Sequence, residues 1–325
     1  MGALDCVGNK EKNTGSTEVI AVSTSSDLNL NEARTDLESQ ELPKSNKEVK
    51  RHSILWHLLT DLPLLLIISV CLALYEFNIL PTYKSGFYCN DPALSFPYNG
   101  ESFSKLMLMI SLLLMPLNII ASLEFFLDDS GGTFKVRIWN AIRTTLPLYR
   151  NFIFGLVMNL ATVEALKIVT GFPRPVFFAL CEPDTAKNCT GSEYISTFTC
   201  TSTQYSTWVQ NDASHSFPSG HTSLSVYNGL HMAWYLQQRA FDWRGKSVLA
   251  VPFHQGLCIV YAVVCSMSRI TDHMHHWWDV LAGAIIGLGS LYYNVYVLNE
   301  NYSRPKRSND KETEEIENPR RVLLP

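Results

Sequence analysis

The stretch Ser268–Leu298 reads SRITDHMHHWWDVLAGAIIGLGSLYYNVYVL and joins a polar, histidine-rich segment to a long apolar one. The apolar part, near Val280–Leu298, approaches the roughly 20 residues that a helix needs to cross the hydrocarbon core of a bilayer. A lipid-exposed backbone must satisfy its own hydrogen bonds, so a span of this kind is expected to be helical. The stretch therefore predicts a membrane helix that begins directly after a cluster of ionisable side chains.

Five further stretches are apolar enough to suggest spans, near Leu58–Phe77, Lys105–Phe125, Phe152–Leu166, Ser219–Leu236 and Val248–Met267. The fourth of these stretches is the least apolar. The overall composition, 46% hydrophobic and 17% charged, hides this pattern because the charges are concentrated at the two ends of the 325-residue chain. The sequence therefore predicts an all-α integral membrane protein, with six transmembrane helices in a bundle at 53–300 between disordered tails at 1–52 and 301–325.

The basic residues of the connections predict which side of the membrane each connection faces. Lys and Arg gather before the first span, between the second and third, between the fourth and fifth, and after the sixth. With an even number of spans these regions share one side, and their excess of basic residues identifies it as the cytoplasm. Both tails are therefore expected in the cytoplasm, and residues 78–104, 167–218 and 268–278 on the extracellular or lumenal side.

Two other features of the expected outer segments agree with this orientation. Asn188 begins the glycosylation acceptor Asn-Cys-Thr, which is used only outside the cytoplasm. Four of the eight cysteines also fall in these segments, where oxidation is permitted: Cys89, Cys181, Cys189 and Cys200. These cysteines can pair in more than one way, and the sequence does not choose among the pairings.

Lys167 and Arg174 bracket the segment KIVTGFPRP, residues 167–175, at the end of the third predicted span. Basic residues often anchor the end of a membrane helix, but these two lie on the side that is expected to be poor in positive charge. Gly171 and Pro173 between them are expected to end the helix. The side chains of Lys167 and Arg174 can then reach the same anion, which they could not do if the helix continued between them.

The second cluster, FPSGH at residues 217–221, opens the fourth predicted span. It has the pattern of a helix start with Ser219 as the capping residue, and that structural role is compatible with a functional one. A helix N-terminus exposes backbone N–H groups, which form an anion site. Ser219 and Gly220 are therefore expected to hold phosphoryl oxygens, with His221 beside them as a proton donor.

The third cluster precedes the sixth predicted span and contains Arg269, His275 and Asp279. If the helix includes His275, the carboxylate four residues later lies on the same face and fixes the imidazole tautomer, which leaves the other ring nitrogen free to attack. Arg269 carries a planar, permanently charged fork that fits phosphoryl oxygens. Histidines and tryptophans are also common at a membrane surface, so this cluster alone supports either interpretation.

Three polar residues within the predicted spans have structural interpretations. Glu164, one helical turn before Lys167, is expected either to pair with that lysine or to be solvated at the helix end. His231 and Asn118 are costly to expose to lipid, so both are expected to face the interior of the bundle.

The three clusters together resemble the signature of the type 2 phosphatidate phosphatase superfamily. The matching segments are K-x6-RP at Lys167–Pro175, PSGH at Pro218–His221 and SR-x5-H-x3-D at Ser268–Asp279. GFYCND at Gly86–Asp91 and HHWWDVLAG at His275–Gly283 are similar to the animal branch of that superfamily, the lipid phosphate phosphatases. The resemblance covers about residues 53–300 and excludes both tails.

The resemblance implies an enzyme that hydrolyses lipid phosphate monoesters without a metal or another cofactor. It implies that His275 is the nucleophile that forms a phosphohistidine, that Asp279 orients it, and that His221 protonates the leaving group. The residues implied to bind the phosphate are Lys167, Arg174, Ser219, Gly220 through its backbone, and Arg269. Three cationic side chains in this set supply the positive charge that a metal ion supplies in other phosphatases.

The implied substrates are phosphatidate, lysophosphatidate, sphingosine 1-phosphate and ceramide 1-phosphate, cleaved at the outer face of the plasma membrane or of internal membranes. The resemblance also implies a capacity for self-association. The sequence contains no basic patch of the nucleic-acid-binding type, so no nucleic-acid partner is expected. The main alternative is a catalytically silent relative that binds lipid phosphates in adhesion or signalling. Such relatives usually lack members of the catalytic set, which is complete here. A transporter is less well supported, because its charged site is expected near the bilayer midplane and not at span ends.

Overall fold

A computed structural model describes the protein at Leu59, residues 62–76, Ile79, and residues 82–128, 130–240 and 249–302. The predicted tails lie outside these residues, except for Asn301 and Tyr302, which are described and belong to the folded bundle, where Tyr302 is buried. The chain divides into two units, Met1–Leu65 and Leu66–Pro325. Only Leu59 and residues 62–65 of the first unit are described, and all contacts given below belong to the second unit.

The described chain is mostly helical. Its α-helices are α1 Leu62–Glu76, α2 Lys105–Phe126, α3 Phe134–Thr170, α4 Phe177–Cys181, α5 Thr207–Asp212, α6 Gly220–Ala240, α7 Ala250–Thr271 and α8 Trp277–Tyr293. Two short strands, β1 Phe87–Tyr88 and β2 Tyr194–Ile195, pair in antiparallel fashion. Turns of 3-10 helix lie at Pro92–Leu94, Asp184–Asn188 and Glu300–Tyr302, and α8 continues into a π-helical turn, Asn294–Leu298.

These helices agree with the predicted all-α membrane protein. Within the described ranges, four helices are long and apolar enough to cross a membrane: α2, α3, α7, and α8 together with its π-helical turn. α1 contains a shorter apolar segment, Pro63–Leu74. Large apolar side chains such as Leu114, Val260 and Ile285 are exposed on the outer faces of these helices, as is expected where helices face lipid. The count of six spans and the orientation of the bundle stay predictions.

Two helices extend beyond the predicted spans. α3 has 37 residues, so the basic residues expected in a loop before the third span lie on the first half of this helix. α7 continues to Thr271, so Arg269 lies in its last turn and not in a loop. The apolar pattern underestimates the length of both helices. It detects only the lipid-facing part, and a helix continues beyond that part where its side chains contact water or other protein segments.

α6 is the centre of the bundle and packs against α2, α3, α7 and α8. This surrounding protein explains why the least apolar predicted span carries so many polar residues. Ser223 on α6, for example, donates a hydrogen bond to the side chain of Asn159 on α3 at 2.6 Å. His231 is buried, as predicted. Asn118 on α2 is exposed instead and bonds the Leu114 carbonyl of its own helix at 2.7 Å, so the prediction for Asn118 is wrong.

Two glycines allow α8 to lie close against α6. Gly283 and Gly287 face the backbone carbonyls of Ser219 and Ser223, and a Cβ atom at either glycine would lie 2.5 Å from the carbonyl oxygen. Small residues at this four-residue spacing are a common way for membrane helices to approach closely. The contact brings the start of α6 beside the start of α8, where two of the predicted clusters lie.

Residues 82–104 and 172–216, which connect the long helices, form a compact subdomain termed the cap. Its cysteines pair as Cys89–Cys189 and Cys181–Cys200, which resolves the pairing that the sequence left open. Phe87 on β1 is buried against Phe177 and Phe198. The predicted glycosylation residue, Asn188, is exposed on this subdomain.

The cap is attached directly to the end of α3. Gly171 ends this helix in the left-handed conformation, with φ of 53°, and its carbonyl accepts a hydrogen bond from the Ser85 N–H at 2.9 Å. A side chain at Gly171 would collide with the backbone of Tyr83. The chain therefore turns sharply at the predicted break, so that Arg174 lies in the cap while Lys167 lies in the last turn of α3.

Candidate active site

The ends of four long helices meet beside the cap, and each end carries a predicted site residue: Lys167 on α3, His221 on α6, Arg269 on α7 and Asp279 on α8. Backbone hydrogen bonds join the second cluster to the third and hold the third cluster together. The Ser219 N–H donates to the Asp279 carbonyl at 3.0 Å, and the His275 N–H donates to the Arg269 carbonyl at 3.1 Å. The fold thus brings together three clusters that are far apart in the sequence.

A cavity of about 450 Å³ opens at this junction. The predicted residues on its wall are Lys167, Arg174, Gly220, His221 and His275. Ser219, Arg269 and Asp279 are fully buried behind the wall. Leu108 on α2 and Leu160 on α3 belong to an apolar side of the same cavity. In the described part of the chain, no group of three or more His, Cys, Asp or Glu side chains is placed to hold a metal ion.

Lys167 and Arg174 are each held by a carboxylate. The Lys167 ammonium lies 3.0 Å from Glu164, so of the two expected arrangements for this acid the structure has the pair. Arg174 is buried, lies 2.9 Å from the Asp212 carboxylate, and donates to the Met274 carbonyl in the loop before α8 at 3.3 Å. Burial raises the pKa of the Asp212 carboxyl, but the charges of Arg174 and two lysines outweigh it and hold this pKa well below its ordinary value.

Arg269 has partners on both sides of the cavity wall. Its Nε donates to the Ser268 hydroxyl at 3.3 Å, and its Nη2 donates to the Phe103 carbonyl at 2.9 Å and to Asp272 at 3.1 Å. Its Nη1 donates to the Glu101 carboxylate at 2.9 Å. Of these partners, only Glu101 is among the described residues that line the cavity. Arg269 is therefore anchored from behind and meets one acid at the cavity side.

His275 is held by a backbone carbonyl. Its Nδ1 lies 2.6 Å from the Ser216 carbonyl oxygen and 3.7 Å from Asp279 Oδ2. Because a carbonyl oxygen only accepts, Nδ1 carries the proton and Nε2 keeps its lone pair. The expected direct hydrogen bond to Asp279 is replaced by a longer contact within ion-pair distance, since α8 begins at Trp277 with His276 as its N-cap. His275 thus precedes the helix, and the helical spacing does not apply to it.

Asp279 positions His275 indirectly. Its Oδ2 accepts a hydrogen bond from the Ser216 hydroxyl at 2.5 Å and another from the His276 backbone N–H at 2.9 Å. Its Oδ1 has no hydrogen-bond partner among the described residues. The carboxylate therefore fixes Ser216, and the carbonyl of Ser216 fixes the imidazole.

Burial and the positive charge of Arg174 lower the pKa of His275 to about 4. An unperturbed histidine side chain has a pKa of about 6.5. Protonation would place a positive charge on a buried ring that already faces cations, so the imidazolium is disfavoured. His275 is consequently neutral, with a free Nε2, throughout the neutral and mildly acidic range.

We expect diethyl pyrocarbonate, which modifies neutral imidazole, to react with His275 at a constant rate between about pH 5 and about pH 8. The sign follows from the lowered pKa, because protonation blocks the reaction only as the pH approaches 4. Peptide mass spectrometry, with fragment ions that separate His275 from the neighbouring His273 and His276, gives the rate. The exposed His254 serves as an internal comparison. A severalfold loss of the His275 rate between pH 7 and pH 5 would contradict this assignment.

His221 and Ser219 begin α6. The Ser219 hydroxyl accepts hydrogen bonds from the Thr222 N–H at 3.4 Å and from the Thr222 hydroxyl at 3.0 Å, so its predicted capping role is confirmed. His221 is 8% exposed, and its Nε2 lies 4.0 Å from Glu101 Oε2. This nitrogen is buried without a hydrogen-bond partner in the part of the chain that the structure describes.

Sequence reasoning missed Glu101, Asp212 and Ser216. A signal existed for the two acids, because buried arginines need counter-charges and carboxylates in the outer segments are the natural source. Their positions gave no indication, since neither acid belongs to one of the three motifs. Ser216 holds His275 through its carbonyl, a group that every residue has, so its residue type gave no signal for this contact.

Comparison with known proteins gives a consistent result. Residues 148–303, which contain all three clusters, match the model of the PAP2 superfamily. "Phospholipid phosphatase 2" of Mus musculus is 30% identical over 69% of this chain and 81% of that protein. Its Rattus norvegicus counterpart of the same name is 29% identical over 78% of this chain and 92% of that protein. "Putative phosphatidate phosphatase" of Drosophila melanogaster is 30% identical over 69% of this chain, which spans 63% of that protein's length. No solved structure gives a significant match.

Proposed function

The chain belongs to the PAP2 superfamily, and we propose that it hydrolyses lipid phosphate monoesters through a phosphohistidine formed on His275. One observation carries this proposal: His275 and His221 share the wall of a single cavity with Lys167 and Arg174. A nucleophile, a proton donor and cations for the phosphoryl oxygens are the parts that phosphoryl transfer needs.

In the first step, His275 Nε2 attacks phosphorus, and a P–N bond forms as the P–O bond to the lipid breaks. The leaving oxygen takes the proton from His221, which must be protonated at Nε2 at this stage. Lys167 and Arg174 stabilise the negative charge on the equatorial oxygens, and Arg269 adds its charge from behind the wall. Ser219 and the Gly220 backbone place the helix start of α6 at the same end of the cavity.

In the second step, water attacks the phosphorus atom of the phosphohistidine. His221, now neutral, takes a proton from this water, the P–N bond breaks, and inorganic phosphate leaves. His275 returns to its neutral form, and His221 is again protonated for the next substrate. No electron transfer is involved, and the three cations supply the charge stabilisation, so the proposed reaction runs without a metal ion.

The substrate class follows from the two-sided cavity. A phosphate at the cationic end can be reached while a long hydrocarbon tail lies against the apolar side, where Leu72, Leu108, Leu160 and Leu224 come from four different helices. Phosphatidate, lysophosphatidate, sphingosine 1-phosphate and ceramide 1-phosphate all combine a monoester phosphate with such a tail. We include all four in the proposed range.

We propose that the site faces the extracellular or lumenal side. The cap beside the site contains both disulfide bonds, and such bonds persist mainly in oxidising compartments. The exposed Asn188 acceptor, whose use as a glycan site is part of the proposal, lies on the same subdomain. A plasma-membrane location with cytoplasmic tails, and a capacity for self-association, complete the proposal on the basis of the resemblance.

Membranes that contain the protein should release phosphate from phosphatidate and lysophosphatidate in excess EDTA at the same rate as in its absence. The charge that stabilises the transition state comes from side chains, so chelation removes nothing that the reaction uses. Phosphate release is measured against membranes from cells without the protein. If folded protein at the cell surface releases no phosphate above this background, the silent lipid-binding alternative replaces the phosphatase proposal.

A further inference from the structure

We propose that Glu101 is a positioning residue for His221, whose protonated form it stabilises and directs toward the leaving oxygen; this role rests on the proposed phosphatase function. Glu101 lies in the segment between β1 and α2, and it is separated from Arg269 by 168 positions in the sequence. Its side chain is 18% exposed and lines the cavity. Its Oε2 lies 2.9 Å from Arg269 Nη1 and 4.0 Å from His221 Nε2.

The charges that face His221 show why a carboxylate is needed there. Burial of the ring opposes a positive imidazole at His221 most strongly, and four groups add to this effect: Arg269 on α7, His275 before α8, Arg174 in the cap and Lys167 on α3. The other cavity acids, Glu164 and Asp212, pair with Lys167 and Arg174. Among the described residues, Glu101 is the carboxylate within ion-pair distance of His221. It therefore offsets the cations at the one atom that must hold a proton.

The same geometry separates this role from simple anchoring of Arg269. The guanidinium is already bonded through Nε to Ser268 and through Nη2 to Phe103 and Asp272. Asp272 supplies a buried counter-charge at 3.1 Å and does not line the cavity in the described structure. Arg269 thus keeps an acid partner without Glu101, whereas His221 does not.

A carboxylate at this position repels the incoming phosphate dianion, so it weakens substrate binding. Its benefit must then appear in the transition state, where the leaving oxygen takes the proton from His221. That benefit is large for an alkyl leaving group, which is a poor one, and small for an acidic phenol, which needs no proton. The dependence of rate on the leaving group therefore reports the proposed role.

The test measures kcat/KM in detergent micelles for phosphate monoesters whose leaving groups range from an alkyl alcohol to nitrophenol. We expect Glu101→Gln to lower kcat/KM about 10–100-fold with the alkyl ester and less than about threefold with the nitrophenyl ester. His221→Ala should show the same dependence on the leaving group. KM should not rise, because the repulsive charge is removed. Asp272→Asn is the matched comparison, and its loss should be equal across the series. Glu193→Gln, at an exposed carboxylate in the cap, should leave the series unchanged.

If Glu101→Gln lowers kcat/KM by the same factor for every leaving group, as expected for Asp272→Asn, the proposal is overturned and Glu101 is an anchor of Arg269. If Glu101→Gln does not fold, Glu101→Asp decides, since it keeps the charge one methylene further from His221 and should give an intermediate slope. An unchanged slope in that variant would again overturn the proposal. Failure of the phosphatase function looks different, because the wild type would then release no phosphate from any ester.

Discussion

Replacing His275 with alanine should lower phosphate release from phosphatidate at least about 10³-fold, to the background of the membranes. The side chain provides the only proposed bond to phosphorus, and the cations that remain cannot replace a nucleophile. The fold should survive the change, because the His275 ring makes its main contact with a backbone carbonyl, that of Ser216. The loss is therefore chemical.

The measurement combines the phosphate-release assay in EDTA with a covalent trap. Wild-type protein mixed with ³²P-labelled lipid and quenched in alkali, which preserves phosphohistidine, should retain label, and His275→Ala should retain none. His276→Asn is the matched control, because asparagine keeps the capping role at the start of α8. Label that persists in His275→Ala, or loss of label in His276→Asn with His275 intact, would place the nucleophile elsewhere.

Replacing Asp279 with asparagine should lower kcat about 10²–10⁴-fold, the range in which a buried carboxylate behind a catalytic histidine acts. As Nε2 of His275 bonds to phosphorus, the ring becomes positively charged, and the Asp279 carboxylate lies 3.7 Å from its Nδ1. Asparagine keeps the shape but removes this negative charge. It also weakens the acceptor for the Ser216 hydroxyl, which lies at 2.5 Å.

Ser216→Ala separates the two contributions of Asp279. It deletes the hydroxyl that bonds the carboxylate but keeps the carbonyl that accepts from His275 Nδ1. We expect Ser216→Ala to lower kcat only about tenfold, because the Asp279 carboxylate keeps its charge. Steady-state kinetics of both variants, with thermal unfolding to verify the fold, gives the comparison. If Asp279→Asn lowers kcat no more than Ser216→Ala does, the negative charge of Asp279 does not contribute to catalysis, and this residue acts only as a hydrogen-bond acceptor.

The fourth predicted span shows what the apolar pattern can and cannot predict about a membrane helix. Hydropathy alone made it the weakest span, yet α6 proves to be the central helix of the bundle. Its polar side chains, Ser223 among them, are buried against neighbouring helices and not against lipid. Hydropathy measures transfer to lipid and cannot register a polar partner on another helix, so it underrates a helix that is surrounded by protein.

The site shows a similar division. Lys167, Arg174, His221 and His275 could be chosen from short motifs, and the fold places all of them on one cavity wall. The carboxylate partners of the two arginines could not be chosen in this way, because Glu101 meets Arg269 across 168 positions of sequence and Asp212 meets Arg174 across 38. A direct hydrogen bond was expected between His275 and Asp279. Because α8 starts after His275, the two groups form a longer ion-pair contact of 3.7 Å, and the Ser216 carbonyl takes the hydrogen bond.

The sequence by itself determined that the chain is a helical membrane protein of the PAP2 superfamily, and it identified the cations and histidines that we propose carry its chemistry. Both depend on local quantities, the apolar length of a segment and the residue types within a short motif. Only the tertiary structure decided the disulfide pairing, the counter-ions of Arg174 and Arg269, and the Ser216 carbonyl that holds His275. These depend on distances between segments far apart in the chain, and on backbone groups that every residue shares, so they become defined only when the helix ends meet.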